Sequence, residues 1–397
     1  MSLVYARMLR IAVVALALLA VPRMVRAIPV FANGQNVSCT LCHTSFPGMK
    51  PYGMMTMMMN MQNLQEHLQT GTLPVALHAE IDTYLANQGN RAQTSVSTLS
   101  LLGGGFIGRN MTWYAEQPFV DSGEPGVTEQ LWVSWNGLLH GTNSLQVGKF
   151  HTPFPFMPAH GFTIGSYLLA TQTNGQNDFA PNDAHWGVAF NGMSNEFMYN
   201  LSWLAGDVGT GQALDYDRAG APRTLDANLA YGGMDLPYTI GLVAMRGSAP
   251  LRDAGGAYAG SEAFTREGLY YAYQRPTFQI QTMYYHGYDA QLDLGTPGGA
   301  LNGWFFEIER DYGWRNHIVA RYDVAASDSL NRRITLDFVH HVAPNLKITG
   351  EMAMAPGTLP VFGVRLGWAG PWLPGRRYTF NPTQGVHVTP IAARQGG

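Results

Sequence analysis

The chain has 397 residues, a formal net charge of −3 and a pI near 6.4, so it lacks the basic surface that nucleic-acid binding requires. Aromatic residues make up 12% of the chain, charged residues only 13%, and the mean hydropathy is −0.08. Such a composition is unusual in a soluble globular protein. It is typical of a membrane barrel whose strands alternate apolar and polar side chains.

The amino terminus has the pattern of a secretory signal peptide. Arg7 and Arg10 precede an apolar run over residues 11–21, and Val25 and Ala27 occupy the −3 and −1 positions of a cleavage site. We therefore predict a signal peptide over residues 1–27 and an exported chain that begins at Ile28. No later apolar stretch reaches about 20 residues, which argues against a transmembrane helix downstream.

The next motif is a C-x-x-C-H run, formed by Cys39, Thr40, Leu41, Cys42 and His43 and containing both cysteines of the chain. This spacing is typical of c-type haem attachment, in which Cys39 and Cys42 bind the haem covalently. His43 then lies where its imidazole takes the proximal position on the iron. A zinc site would need two further soft ligands, and a thioredoxin-like site would need a βαβ setting. We predict one covalent haem c.

A methionine-rich stretch follows the haem motif. If residues 53–68 form the helix that their composition favours, three of these methionines share one face, namely Met54, Met58 and Met61. They are candidates for the sixth ligand of the iron, since thioether sulfur binds haem iron. His67, His78 or a water molecule are the alternatives. The remaining methionines are expected to fill gaps in the packing.

From residue 94 onward, short alternating segments recur in pairs separated by turn-like linkers. The predicted pairs cover residues 129–138 and 144–150, 184–190 and 196–204, 229–234 and 238–245, 268–274 and 277–285, 304–310 and 317–324, and 333–340 and 346–354. Each segment has about the length that a tilted strand needs to cross a bilayer. Longer polar linkers separate the pairs, at residues 117–127, 174–183, 207–223, 247–262 and 289–300.

Short turns at one end and long loops at the other predict an outer-membrane antiparallel β-barrel, which we assign about 16 strands. The predicted domains are a haem segment over 28–92 that plugs or caps the pore, the barrel over 93–370, and a tail over 371–397. Aromatic pairs near the strand ends predict interfacial girdles, with core packing as the alternative; the pairs begin at Trp113, Tyr270, Tyr284 and Trp304. A soluble β-propeller is disfavoured because no blade-length repeat is visible.

The amino-terminal region resembles the fused monohaem cytochrome–porins, the outer-membrane iron oxidases of iron-oxidising bacteria. About 30 residues carry the resemblance: Ile28-Pro29-Val30-Phe31-Ala32, Val37-Ser38 before the haem motif, Phe46-Pro47 and Tyr52-Gly53. The resemblance implies that Cys39 and Cys42 hold the haem, that His43 is its proximal ligand, and that the haem segment lies in or over the pore. The methionine run after Gly53 departs from the family's pattern.

These observations favour an outer-membrane cytochrome that oxidises extracellular Fe(II) and passes the electron to a periplasmic cytochrome. Outer-sphere electron transfer needs no general acid or base, so we assign no catalytic residues. One alternative is a haem-plugged porin whose main role is solute passage or gating; another is a soluble periplasmic haem protein with a β-domain. His340 and His341 are expected on opposite faces of one strand. Glu262 is expected to be a solvated loop charge, with weak iron docking as the alternative.

Overall fold

The computed structural model describes residues 53, 56, 60–61, 75–85, 92–108, 110–139, 142–152, 163–169, 172–177, 179–181, 183–205, 223–232, 236–275, 277–313, 315–326, 330–343 and 346–371, and the backbone of 376–381 and 385–390. Its strands are β1 (Val75–Leu85), β2 (Gln93–Ile107), β3 (Met111–Asp121), β4 (Glu124–Pro125), β5 (Gln130–Leu138), β6 (Asn143–His151), β7 (Ala184–Ser194), β8 (Phe197–Ala205), β9 (Arg223–Gly232), β10 (Tyr238–Arg252), β11 (Tyr258–Arg275), β12 (Phe278–Asp293), β13 (Thr296–Tyr312), β14 (Asn316–Ala326), β15 (Leu330–Ala343), β16 (Leu346–Met354), β17 (Val361–Pro371), β18 (Arg376–Asn381) and β19 (Gly385–Pro390). Among the described residues, no helix has the length and apolar character needed to cross a bilayer.

The long strands form one closed antiparallel barrel. Each pairs with its neighbour in the chain, and β1 pairs with β17, so the sheet has no free edge. Because β4 has only two residues, 16 strands build the wall, as predicted. Strands β18 and β19 form a separate hairpin within the predicted tail.

Side chains alternate between the two faces along most of the wall. In β5, Leu131, Val133 and Trp135 are exposed on the outer face. Ser134 and Asn136 are buried on the inner face of the same strand. An apolar exterior around a polar interior is the arrangement of a membrane-spanning barrel. It confirms the predicted outer-membrane type of architecture, and it is inconsistent with a soluble periplasmic protein, which would not expose so continuous an apolar surface.

Several strands are longer than predicted. Residues 247–262 and 289–300 were expected to be polar loops, but most of them belong to the hairpins β10–β11 and β12–β13. These strands have 15 to 18 residues, whereas about 9 to 11 cross a bilayer, so the hairpins extend beyond it. The turn between β7 and β8 lies at Asn195 and Glu196, because β7 continues past the predicted segment 184–190 to Ser194.

In three of the four predicted aromatic pairs, only one residue lies on the outer face, where an interfacial girdle would be. Tyr271, Tyr284 and Trp304 are exposed on the outer face, whereas their neighbours Tyr270, Tyr285 and Phe305 are buried inside the barrel. The reason is geometric, because consecutive residues of a strand point to opposite faces. Interior packing therefore accounts for half of these side chains.

The barrel begins earlier than predicted. Residues 75–85, which we assigned to the haem segment, form β1, so the barrel extends from Val75 to Pro371. The inward side chains of β1 include His78, Glu80 and Asp82, all buried. Their outward neighbours are apolar at residues 77, 79 and 81, which is the alternation of a barrel strand.

An ion-pair cluster lies on the inner side of the seam between β1 and β17. Arg365 binds Asp82 through two hydrogen bonds, Nε to Oδ1 at 2.7 Å and Nη2 to Oδ2 at 2.8 Å. Its Nη1 lies 3.0 Å from Oε2 of Glu80, and Nζ of Lys347 lies 3.6 Å from Oε1 of the same carboxylate. Bidentate pairing of this kind fixes geometry as well as charge, so the cluster fastens the closing strands.

We expect Arg365→Met to weaken the closed barrel. The substitution leaves the buried carboxylates of Asp82 and Glu80 without the partly buried guanidinium that pairs with both, which typically costs about 3 kcal/mol. The measurement is the temperature at which the folded band converts to the unfolded band on SDS gels, and it should fall by several degrees. The control is Arg275→Met, whose exposed guanidinium contacts only Tyr273 among the described residues. Equal conversion temperatures for the two variants would contradict the role of the seam cluster.

Candidate functional site

The candidate functional site is the lumen, which two chain segments enter. The first is part of the long connection between β6 and β7, described at residues 163–169, 172–177 and 179–181. The backbone N–H groups of Ile164 and Gly165 both donate to Oε2 of Glu351 on β16, at 2.6 and 2.9 Å. We call this segment the lumen loop. Its hydrogen bonds to inward-facing side chains place it inside the wall.

Arg321, on β14, is the principal anchor of the lumen loop. Its Nη1 donates to Oγ1 of Thr163 at 2.9 Å, and its Nη2 donates to the carbonyl of Gly165 at 2.8 Å. Two carboxylates balance its charge, with Asp323 Oδ2 at 2.7 Å from Nε and Glu307 Oε2 at 3.5 Å from Nη1. All three charged side chains are nearly inaccessible to solvent. A fully desolvated guanidinium with this many acceptors holds the loop in one position.

Tyr167 of the lumen loop lies on the same cluster. Its ring centroid is 4.1 Å from the Arg321 guanidinium carbon, a cation–π contact. Its hydroxyl donates to the Glu307 carboxylate at 3.0 Å and accepts a hydrogen bond from Nε2 of Gln281 at 2.9 Å. Burial, together with the neighbouring Glu307 charge, raises the pKa of Tyr167 well above its usual range. The phenol therefore stays a neutral donor at any ordinary pH.

The second half of the lumen loop is bound to another charged pair. Asn174 and Asn177 each donate to the carboxylate of Asp289, at 2.8 and 2.6 Å. Arg266 neutralises the same carboxylate at 2.9 Å. Between the two asparagines, Gly175 has a φ of +59° and approaches the backbone of Leu292 so closely that a Cβ would overlap it. Only glycine fits this approach.

The second segment in the lumen lies on the amino-terminal side of β1. Nδ2 of Asn60 donates to the hydroxyls of Ser134 and Ser144, at 3.1 and 3.0 Å, and its carbonyl accepts from Thr112 at 2.9 Å. These three partners are inward-facing residues of β5, β6 and β3 with no solvent exposure. Thr56 is also buried. The chain shortly after the C-x-x-C-H motif is thus held against the inner wall at Asn60.

The helix predicted over residues 53–68 ends before Met61. Gly53 and Thr56 are helical, but Asn60 and Met61 have φ values of 48° and 63° and form a turn. The Met61 N–H bonds the carbonyl of Thr56 at 2.8 Å, which is the closing pattern of a helix carboxyl end. Met61 therefore lies in a turn and not, as the sequence predicted, in a helix that continues to residue 68.

The other predicted haem residues lie outside the described residues: Cys39, Cys42, His43, Met54, Met58 and His67. Their roles stay predictions. His78, the remaining alternative for the sixth ligand, is on β1, where its Nε2 lies 3.4 Å from Oε1 of Glu80. Glu262 was expected to be a solvated loop charge, but it is buried inside the barrel and accepts a hydrogen bond from the N–H of Gln291.

No family model and no curated protein matches the sequence. Several solved structures match the fold. An anion-selective porin from Comamonas acidovorans has a TM-score of 0.55 at 13% identity, over 75% of this chain and 98% of the other. OmpT of Vibrio cholerae has a TM-score of 0.56 at 8% identity, over 76% and 98%, and the outer membrane channel DcaP of Acinetobacter baumannii has 0.51 at 9%, over 74% and 95%. Together with the apolar outer wall, this porin-like fold supports the predicted outer-membrane location.

Proposed function

We propose that this protein is an outer-membrane electron conduit, a porin-type barrel closed by a haem-bearing amino-terminal segment, which takes electrons from extracellular Fe(II) and delivers them to a periplasmic cytochrome. One observation carries the proposal. Asn60, which follows the C-x-x-C-H motif at a short distance along the chain, is hydrogen-bonded to the inner wall by Ser134 and Ser144. The chain is thus anchored in the lumen at Asn60, a short distance after the motif, and this anchoring supports the proposal.

The donor set fits a c-type haem by its chemistry. Cys39 and Cys42 supply the two thiols for covalent attachment, and His43 supplies the proximal imidazole. A bound haem supplies reversible one-electron redox chemistry at its iron. In the net reaction each Fe(II) loses one electron and the periplasmic acceptor gains it, so no proton donor or acceptor is required of the chain.

The lining of the lumen suits a cationic donor. Among the described residues, buried carboxylates on the wall outnumber buried cations. The carboxylates are Glu80, Asp82, Glu116, Asp226, Glu262, Asp289, Glu307, Glu309, Asp311, Asp323, Asp337 and Glu351; the cations are Lys149, Arg266, Arg321 and Lys347. Rings of carboxylates favour cations over anions in a pore. A closed lumen would also keep the insoluble Fe(III) product outside the cell.

A haem-plugged porin, with solute passage or gating as its main role, is the second candidate. The fold comparisons bear on it more directly than on electron transfer, because the similar structures are porins and channels. The acidic wall then favours small cations over anions as the permeating solute. In this case the segment at Asn60 is a gate that opens, whereas the electron conduit keeps it in place.

Reconstitution separates the two candidates. Proteoliposomes that enclose an oxidised soluble cytochrome c receive anaerobic Fe(II) on the outside, and absorption bands report the reduction of the trapped protein. For the conduit, we expect reduction by the natural chain, low ionic conductance, and no reduction by the double variant Cys39→Ser, Cys42→Ser. Two results together would contradict the electron conduit and favour the porin. They are a high conductance in both the natural chain and the double variant, and no reduction of the trapped cytochrome.

A further inference from the structure

A group of metal-ligating side chains lies on the inner wall at the short-turn end of β13, β14 and β15. Glu309 and Asp311 come from β13, His317 from β14 and His341 from β15, and all four are more than nine-tenths buried. One ligand atom from each of Glu309, Asp311 and His317 lies within 4.8 Å of the others. We call these four residues the β13–β15 cluster. Its members are far from the C-x-x-C-H motif in the sequence, and the proposed electron transfer assigns none of them a ligand role.

The strand register brings the cluster together. Asp311 and His317 are direct partners across the β13–β14 ladder, and Nδ1 of His317 lies 2.5 Å from Oδ1 of Asp311. The His317 and His341 rings meet edge to face, with centroids 5.4 Å apart. The backbone of His341 is fixed by its N–H bond to the carbonyl of Arg315 at 2.7 Å. The donors therefore belong to a rigid part of the wall.

His341 supplies an independent indication of a missing ligand. Its Nε2 atom is buried and has no hydrogen-bond partner among the residues that the structure describes. Leaving such a group unsatisfied destabilises the folded state, and a bound ligand removes that penalty. The preceding His340 points to the other face and bonds Oδ1 of Asn316 at 2.8 Å, which confirms the predicted opposition of the two histidines. The His341 ring adjoins the cluster through its contact with the His317 ring.

The chemistry of the donors selects the class of ion. Imidazole nitrogen suits Zn²⁺, Cu²⁺, Ni²⁺ and Fe²⁺, whereas Mg²⁺ and Ca²⁺ prefer oxygen ligands alone. The negative charges of the two carboxylates also balance a dication, while the two imidazoles bind as neutral ligands. Zinc sites commonly hold three or four such ligands. An Asp–His hydrogen bond without metal accounts for the contact between Asp311 and His317, but it leaves the His341 nitrogen unexplained.

We propose that the β13–β15 cluster binds one divalent transition-metal ion, with Glu309, Asp311 and His317 as ligands and His341 as the fourth. The ion links three adjacent strands at the end of the barrel where the turns are short, which is the periplasmic end in barrels of this type. Its role is structural, because it joins β13, β14 and β15 by bonds that do not depend on the backbone ladder.

Zn²⁺ binding to the chelator-washed full-length protein in detergent tests the site. By titration calorimetry we expect one high-affinity Zn²⁺ in the natural chain, and affinity weakened at least about tenfold in Asp311→Asn and in His341→Gln. His340→Gln, in the same hairpin, should bind as the natural chain does. Glutamine is close to histidine in size and polarity, so His341→Gln is expected to fold. The position of the folded band on SDS gels checks that it does.

A second measurement distinguishes a structural site from surface binding. Added Zn²⁺ should raise the unfolding temperature of the natural chain and of His340→Gln, and should leave that of His341→Gln unchanged. Absence of stoichiometric Zn²⁺ in the natural chain, or equal affinity in His341→Gln and His340→Gln, would overturn the proposal. Neither result depends on haem attachment or on electron transfer, so the metal site can be disproved while the proposed function stands.

Discussion

Substituting Asn60 by glycine is expected to open the lumen. The change removes the two hydrogen bonds from Nδ2 to Ser134 and Ser144, while glycine accepts the φ of 48° without strain. The loss of buried hydrogen bonds typically costs about 1–3 kcal/mol, and each 1.4 kcal/mol is a tenfold change in an equilibrium. In planar bilayers, open-channel events should become about tenfold more frequent or more.

The matched control for that result is Asn200→Ala. Asn200 is also buried on the inner wall, but its hydrogen bonds go to Asn191 and Ser202 of the wall itself. This variant loses buried polar contacts without touching the segment at Asn60, so its conductance should stay at the natural level. If Asn60→Gly and Asn200→Ala conduct alike, the segment at Asn60 does not close the lumen.

Replacing Arg321 by methionine should release the lumen loop. The substitution removes the donors to Thr163 and Gly165 and the cation beneath the Tyr167 ring. It also leaves Glu307 and Asp323 without their buried counter-charge, a change that typically costs about 3–5 kcal/mol. We expect cleavage within residues 163–169 by added chymotrypsin at the Tyr167 position, which the natural chain resists. The barrel itself should persist, since the strand ladder does not pass through this side chain.

Arg310→Met is the control for the Arg321 variant. Arg310 is on β13, the strand that also carries Glu307. Its side chain is on the outer face, where the guanidinium carbon lies 6.0 Å from the centre of the Tyr312 ring. Resistance to chymotrypsin should be unchanged in this control. Resistance in Arg321→Met as well would show that the other contacts of the loop, such as the Glu351 carboxylate on the N–H groups of Ile164 and Gly165, hold it without the guanidinium.

The strands of the barrel could be predicted from sequence because the alternation of apolar and polar side chains is visible within each short segment. The segments predicted at 129–138 and 144–150 correspond to β5 and β6 within one residue at each end. Strand β1 was missed although its alternation is regular, because the inward His78, Glu80 and Asp82 give it the composition of a polar linker. Charges facing a polar lumen look like solvent-facing charges when only one sequence is available.

The interior of the lumen could not be predicted in the same way. Arg321 contacts Thr163 and Gly165 across more than 150 positions of the chain, and nothing in the local sequence of β14 distinguishes it from a solvated arginine. The contact between Asn60 and the wall likewise depends on how the barrel curves around the segment. Long-range pairings of this kind follow from closure of the sheet, which single-sequence periodicity does not contain.

The seam between β1 and β17 sets an order of events during biogenesis. The cylinder is complete only when its first strand meets its last, and Asn60, which precedes β1, is by then on the inside. A cofactor attached to the chain upstream of Asn60 is carried by the same stretch of polypeptide. Under the proposed function, haem attachment in the periplasm is therefore expected to precede the final step of membrane assembly, so that attachment becomes a checkpoint for insertion of the barrel.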